Sequence, residues 1–262
     1  MPKSDKYESK FPDETGRFAY TAEEDAVWGE LFERQIAFLK GRICDEYFDG
    51  VEKLGLTPDH VPQVKDIDAR LHKATNFGVE GVPAIIPPSK FYALLADRKF
   101  PVATFLRTRE DMDYIEEPDI FHEVFGHCPL LTNQAYTDFV ERFGKLARSL
   151  GKGYSWHLFR LFWFTVEFGM IRTPDGLRGY GAGIASSPAE AEHATSGRAF
   201  TAGADLLTML RTPYRIDIVQ PLYFVINSFD DLPKLLDTDV AAAVDEAKRL
   251  GDLPAMFEPK AA

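Results

Sequence analysis

The stretch Ser155-Trp-His-Leu-Phe-Arg-Leu-Phe-Trp-Phe-Thr-Val-Glu-Phe-Gly169 is apolar on nearly every side. A helix without a broad polar face has to be wrapped by the rest of the chain, so the remaining elements must form layers around it. The same stretch carries Glu167. An ionised carboxylate in such a segment is costly unless it is paired or bound to a cation. A salt bridge to Arg160, a wet strip on the helix and a metal ion would each satisfy it, and the segment alone leaves these three readings open.

Elsewhere the apolar pattern is mostly helical. Thr21-Ala-Glu-Glu24 reads as a capping box, and Trp28, Phe32, Ile36 and Leu39 follow at steps of three or four, continuing through Tyr47 to Leu54. Gly41 is expected to divide this stripe and Gly55 to end it. Further helices are predicted over residues 64–75, from Ser89 to 95, over 133–150 with Gly151 as stop, from the Ser187-Pro-Ala-Glu190 capping box, and near 231–236 and 239–250. Val82-Pro-Ala-Ile-Ile-Pro-Pro88 holds too many prolines for a helix and reads as an extended loop or edge strand. Short strands are expected within 101–107 and 214–229, and Thr173-Pro-Asp-Gly176 reads as a turn between two short extended pieces. No repeat, linker or low-complexity tract divides the chain. The fold class is mainly α with a few short strands (α+β), organised as an N-terminal arm over 1–20 and a single domain over 21–262.

A net charge of −11 and a pI near 5.1 argue against nucleic acid or an anionic membrane as partner. Cys44 and Cys128 form no CxxC pair, and no stretch offers the roughly 20 apolar residues that span a bilayer. The chain reads as cytoplasmic.

The segment Asp119-Ile-Phe-His-Glu-Val-Phe-Gly-His-Cys-Pro129 sets His122 and His127 five residues apart. In zinc hydrolases the two histidines are four apart on one helix face, with a glutamate as base. Five steps of an α-helix separate side chains by about 140°, four steps by about 40°. A straight α-helix cannot aim His122 and His127 at one ion, so the helix is expected to end or bend at Gly126 ahead of Pro129. With Glu167, the two histidines complete the two-histidine, one-carboxylate set that leaves positions open on non-haem Fe(II). One rival is a zinc hydrolase with Glu123 as base. Another is a structural metal site with Cys128 as fourth ligand, which its adjacency to His127 makes awkward.

Three motifs now stand in order: Glu117-Pro-Asp-Ile-Phe-His-Glu-Val-Phe-Gly-His127, Trp163-Phe-Thr-Val-Glu-Phe-Gly169 and Tyr180-Gly-Ala-Gly-Ile-Ala-Ser-Ser187. In these the chain resembles the pterin-dependent aromatic amino acid hydroxylases, bacterial members above all, from about residue 15 to residue 250. The resemblance implies Fe(II) held by His122, His127 and Glu167, a tetrahydropterin as electron donor and O2 as co-substrate.

It also implies that Arg107 grips the substrate carboxylate, that Ser186 helps to hold the same amino acid and that Trp163 walls its ring. For the pterin it implies a stack on Phe91, backbone bonds from Ala84, Ile86 and Pro88, and a neighbouring carboxylate at Glu123. Asp119 reads either as acceptor for a ligating histidine N–H or as a helix cap. Animal members carry a regulatory domain and a tetramerisation helix, for which this chain has no room, so a monomeric catalytic domain is expected. Pro101 and Phe162 stand where those enzymes have a histidine and a tyrosine. Val225 matches a position near the substrate ring that is aliphatic in phenylalanine-specific members. An apolar wall gives a phenolic OH no partner, which favours L-phenylalanine to L-tyrosine, with tryptophan 5-hydroxylation as the alternative.

Overall fold

A computed structural model describes residues 6–83 and 85–258. Thr21 caps α1 (Ala22–Phe38), and the capping box closes both ways: the Glu24 N–H donates to the Thr21 hydroxyl at 3.2 Å, and the Thr21 N–H to the Glu24 carboxylate at 2.7 Å. The stripe continues in α2 (Asp45–Lys53), the division falling at Gly41, where φ is +73°. Next come α3 (Val64–Thr75), β1 (Gly78–Val82), α4 (Pro88–Ala96) and β2 (Lys99–Ala103), with β1 and β2 paired in parallel. α4 begins on Pro88 rather than after Ser89, since a proline in the first turn gives up only an N–H that has no helical partner. The N-terminal arm is tied down: the Tyr7 ring stacks on Phe105 at 4.9 Å, and the Thr104 hydroxyl donates to the Lys10 carbonyl at 2.9 Å.

The chain then makes a π-helical turn at Phe121–His127, a 3-10 turn at Cys128–Thr132, α5 (Gln134–Leu150) and α6 (Ser155–Phe162). α6 runs into a second π-helical turn, Trp163–Glu167. The single helix expected over 155–169 is therefore an α-helix whose last turn widens. Beyond it lie β3 (Met170–Thr173), β4 (Gly176–Gly179), α7 (Ala182–Ser186), α8 (Pro188–Thr195), β5 (Phe200–Gly203), α9 (Leu206–Arg211), β6 (Leu222–Ile226), α10 (Asp231–Lys234) and α11 (Val240–Leu250). The second sheet has the order β4-β3-β6-β5, antiparallel between β3 and β4 and parallel elsewhere. About 50% helix and 11% strand give the mainly α fold that the sequence predicts. β1, α7, β5 and α9 are additions; at four to six residues, they are too short to show a period.

Leu158 and Leu161 of α6 are fully enclosed, as the all-round apolar pattern requires. Arg160 is buried with them, and its guanidinium forks onto Asp252 at 2.6 and 2.8 Å. That pairing removes Arg160 as the partner of Glu167. Glu190 of α8 is also buried; the Tyr223 hydroxyl and the Gln220 N–H both donate to its Oε1, at 2.6 and 3.0 Å. Burial pushes the Glu190 carboxyl up to about 7, against the opposing pull of those two donors.

Close backbone approach joins the second π-turn to the segment that follows β4. A Cβ on Gly181 would overlap the Glu167 carbonyl oxygen, and one on Gly126 would stand 3.0 Å from the Ala182 carbonyl oxygen. Gly181→Ala should lower stability by about 1–3 kcal/mol. Gly153→Ala, where a Cβ meets open space, should stay within about 0.5 kcal/mol of the wild type. Denaturant midpoints check both, and equal midpoints would contradict the packing. Glu190→Gln keeps the acceptor oxygen for both donors. The folded-state carboxyl pKa is raised, so the wild type should lose stability relative to this variant as pH climbs from the ordinary 4.5 to about 7, with the difference constant above and below that window. Urea titrations across that range check it, and a pH-independent gap would contradict it.

Candidate active site

The five-residue spacing of His122 and His127 is resolved by the π-turn itself. A turn closed by i to i+5 hydrogen bonds brings residues five apart onto one face. The expected bend at Gly126 is absent; that glycine instead admits the backbone of α7. The two imidazoles stand edge to face at 89°, with their Nε2 atoms 3.2 Å apart. Glu167, at the end of the second π-turn, reaches both: Oε1 lies 3.1 Å from His127 Nε2 and Oε2 3.5 Å from His122 Nε2.

Hydrogen bonding fixes one ring. The Ser186 hydroxyl donates to the Ala182 carbonyl at 2.8 Å, so it accepts from His122 Nδ1, also at 2.8 Å. His122 Nε2 is then an unprotonated donor atom aimed at His127. His127 Nδ1 is buried without a hydrogen-bond partner. With His122 Nε2 unprotonated, its lone pair and the Glu167 carboxylate converge beside His127 Nε2, an arrangement that something positive between them relieves. An octahedral face with ligand arms of about 2.1 Å has edges of about 3.0 Å, close to the 3.1 and 3.2 Å separations here, with the Glu167–His122 edge longer at 3.5 Å. The residues fit a divalent cation.

A second carboxylate stands beside this set. Ligand atoms of His122, Glu123 and His127 lie within 4.8 Å of one another, but Glu123 comes no nearer than 3.9 Å to His127 Nε2. Electrostatics separate the two acids. Burial pushes the Glu123 carboxyl up to about 8, the Glu167 and Asp119 charges adding to it against the pull of His122. Burial acts on Glu167 in the same direction, but the His127 and His122 rings hold its carboxyl well below the usual range. Glu167 is the carboxylate drawn to the two rings, and Glu123 stands off from them. The Cys128 thiol is directed elsewhere: it donates to the Glu123 carbonyl oxygen at 3.4 Å and is not among the ligand atoms that converge with the histidines.

Asp119 does not meet a histidine ring. Its carboxylate accepts the His122 backbone N–H at 3.0 Å, which caps the π-turn, and receives the Nε and Nη2 groups of Arg107 at 2.8 and 2.9 Å. The fork of Arg107 is thus already filled, and its Nη1 side remains for another carboxylate. Ser186 serves as the partner of the His122 ring.

These groups share a cavity of about 690 Å³, within the range that holds a small ligand and a cofactor. Arg107, Glu123, Trp163 and Ser186 line it, together with Ile86 and Phe91. The Phe91 ring stands edge-on to Phe162 at 5.2 Å and lies flat on Phe159 at 6.0 Å. Trp163 lies flat on Tyr214 at 4.5 Å and donates from Nε1 to Gln220 Oε1 at 2.9 Å. Pro88 is exposed at the start of α4 and is not part of the wall; Ala84 lies outside the described residues. Val225 sits within β6 opposite Met170 and Gly203 and does not line the cavity, so the expected contact with a substrate ring is not made. Sequence reasoning missed Tyr214 and Glu190 as wall residues. Glu190 was masked by its place in the Ser187 capping box, where only its backbone N–H takes part.

A model of the family described as biopterin-dependent aromatic amino acid hydroxylase matches residues 4–245. The phenylalanine-4-hydroxylase of Pseudomonas aeruginosa is 46% identical over 260 residues, 99% of either chain. That of Vibrio cholerae is 44% identical over 97% of this chain and 88% of its own. Among solved structures, the apo cold-active phenylalanine hydroxylase of Colwellia psychrerythraea superposes with a TM-score of 0.92 at 45% identity, covering 96% of this chain and 98% of that one. The Chromobacterium violaceum phenylalanine hydroxylase with bound oxidised Fe(III) gives 0.89 at 38% identity, over 98% and 94%. This chain belongs to the biopterin-dependent aromatic amino acid hydroxylases.

Proposed function

We propose that the chain hydroxylates L-phenylalanine to L-tyrosine with O2 and a tetrahydropterin, at Fe(II) held by His122, His127 and Glu167. The observation that carries the ligand set is the convergence of two imidazole nitrogens and one carboxylate on a single point in the cavity wall. Three protein ligands leave coordination positions for reactants. Iron and pterin together supply the activated oxygen atom, and the chain's own residues do the rest.

Ser186 holds His122 in the tautomer that presents Nε2. Asp119 fixes the start of the same π-turn and orients Arg107, whose Nη1 side binds the carboxylate of the amino acid. Trp163, held between Tyr214 and the Gln220 side chain, walls the substrate ring. Phe91 offers the pterin an aromatic face, with Ile86 beside it, and the Glu123 carboxyl in the same wall stands ready to hydrogen-bond a pterin edge. The apolar choice of substrate falls to Trp163, Phe168 and Val219 rather than to Val225. Enclosure by aromatic rings keeps water from the reacting atoms.

Residues 1–20 are read as an arm and 21–262 as one catalytic domain, acting as a cytoplasmic monomer without nucleic acid or membrane. Among the described residues no helix is long and apolar enough to cross a membrane.

The test is turnover. The protein is loaded anaerobically with Fe(II), then given tetrahydropterin, air and phenylalanine, tryptophan or tyrosine in turn, with products identified by chromatography. Tyrosine from phenylalanine is expected as the main product. Glu167→Ala should cost more than the roughly 10- to 100-fold that loss of an outer partner costs. A main product from tryptophan would reassign the substrate, and no hydroxylated product from any of the three would overturn the reading.

A further inference from the structure

Three electron-rich rings run in contact from the cavity to the surface. Trp163 lines the cavity and begins the π-turn that ends on Glu167. Its ring lies flat on Tyr214, 4.5 Å away at 23°. Tyr214 in turn lies flat on Trp156, 6.2 Å away at 20°. Trp156 is 61% exposed, so the outer face of its ring is open to solvent. Phe100 and Phe162 face the His127 ring, and Phe91, Phe159, Phe168 and Tyr114 also line the cavity. Phenylalanine gives up an electron far less readily than tryptophan or tyrosine, so the oxidisable rings of the cavity wall are Trp163, Tyr214 and the exposed Tyr114, and the stack through Trp163 and Tyr214 continues to Trp156.

We propose that Trp163, Tyr214 and Trp156 form a protective electron-transfer path that discharges the iron-centred oxidant when no amino acid consumes it. The proposal rests on the oxygen chemistry of the proposed function. An activated oxygen atom that is not delivered to substrate needs two electrons and two protons to leave as water, with the iron restored to its ferrous state. Each electron passes from Trp163 to the oxidant, from Tyr214 to the Trp163 radical cation and from Trp156 to Tyr214. Tyr214 lines the cavity, releases its phenolic proton there and recovers it when the electron from Trp156 arrives. The Gln220 carbonyl oxygen on Trp163 Nε1 stabilises the transient indole cation. At the surface, the Trp156 radical takes an electron from a small-molecule thiol; two thiols yield one disulfide and supply the two protons. Arg160 lies 5.6 Å from the Trp156 ring, but its charge is matched by Asp252, which limits its opposition to a cation on that ring.

The path is tested by uncoupled turnover. Iron-loaded wild type, Tyr214→Phe and Trp156→Phe proteins are cycled with tetrahydropterin and O2, without amino acid or thiol, in the presence of catalase. Peptide mass spectrometry then maps oxidised side chains, and a parallel sample with phenylalanine verifies hydroxylation. In the wild type, oxidation should collect on Trp156 and fall severalfold when a thiol is added. In Tyr214→Phe it should leave Trp156 and appear at Trp163 and the iron-binding histidines, and Trp156→Phe should shift it to Tyr214 and Trp163. Equal Trp156 oxidation in the wild type and Tyr214→Phe, accumulation at Tyr114 instead, or no oxidation of Trp156 while hydroxylation proceeds would each overturn the path. Failure of the hydroxylation control would instead overturn the function on which it rests.

Discussion

Two π-helical turns facing each other across one point set the rest of this structure. Phe121–His127 places two imidazoles five residues apart on one face, and Trp163–Glu167 brings a carboxylate to within 3.1 and 3.5 Å of them. A π-turn is poorly favoured by the backbone and persists where surroundings hold it. Here Asp119 caps the first turn, while Gly126 and Gly181 let the α7 segment press against both. The same segment delivers Ser186 to the His122 ring. Packing, capping and ligand orientation are thus one arrangement.

The cost of that arrangement is a set of buried charges, each with an assigned partner. Arg107 forks onto Asp119, Arg160 is held by Asp252, and Glu190, raised by burial, is held by two donors. The Arg160 pairing leaves Glu167 to the histidines alone. Buried pairs of this kind add little net stability but are costly to break, so their contribution is to fix one geometry. At the cavity they fix which face of Arg107 is open and which acid remains ionised beside the imidazoles.

Much of this was legible in the residues. The all-round apolar stretch of 155–169 located the centre of the fold, and Glu167 within it located a demand for positive charge. The capping box at Thr21 and the glycine stop at 151 mark helix ends where the structure has them. What failed was geometry that depends on long-range contact. Five-residue spacing looked like a bent α-helix because nothing local distinguishes a π-turn from an α-turn that ends at glycine. The Arg107–Asp119 fork joins residues 12 apart, and no periodicity signals it. Val225 matched a family position but lies within the sheet, and Glu190 looked like a cap until its side chain was seen to turn inward.

The central claim is that Glu167, not Glu123 or Cys128, completes the metal set with His122 and His127. The most direct measurement is a crystal structure of the Co(II)-loaded protein, with anomalous scattering to locate the ion. The account predicts density bonded to His122 Nε2, His127 Nε2 and a Glu167 oxygen at about 2.0–2.2 Å, the remaining positions being taken by water and Glu123 standing off. An ion bound by Glu123 or Cys128 with Glu167 turned away would contradict it.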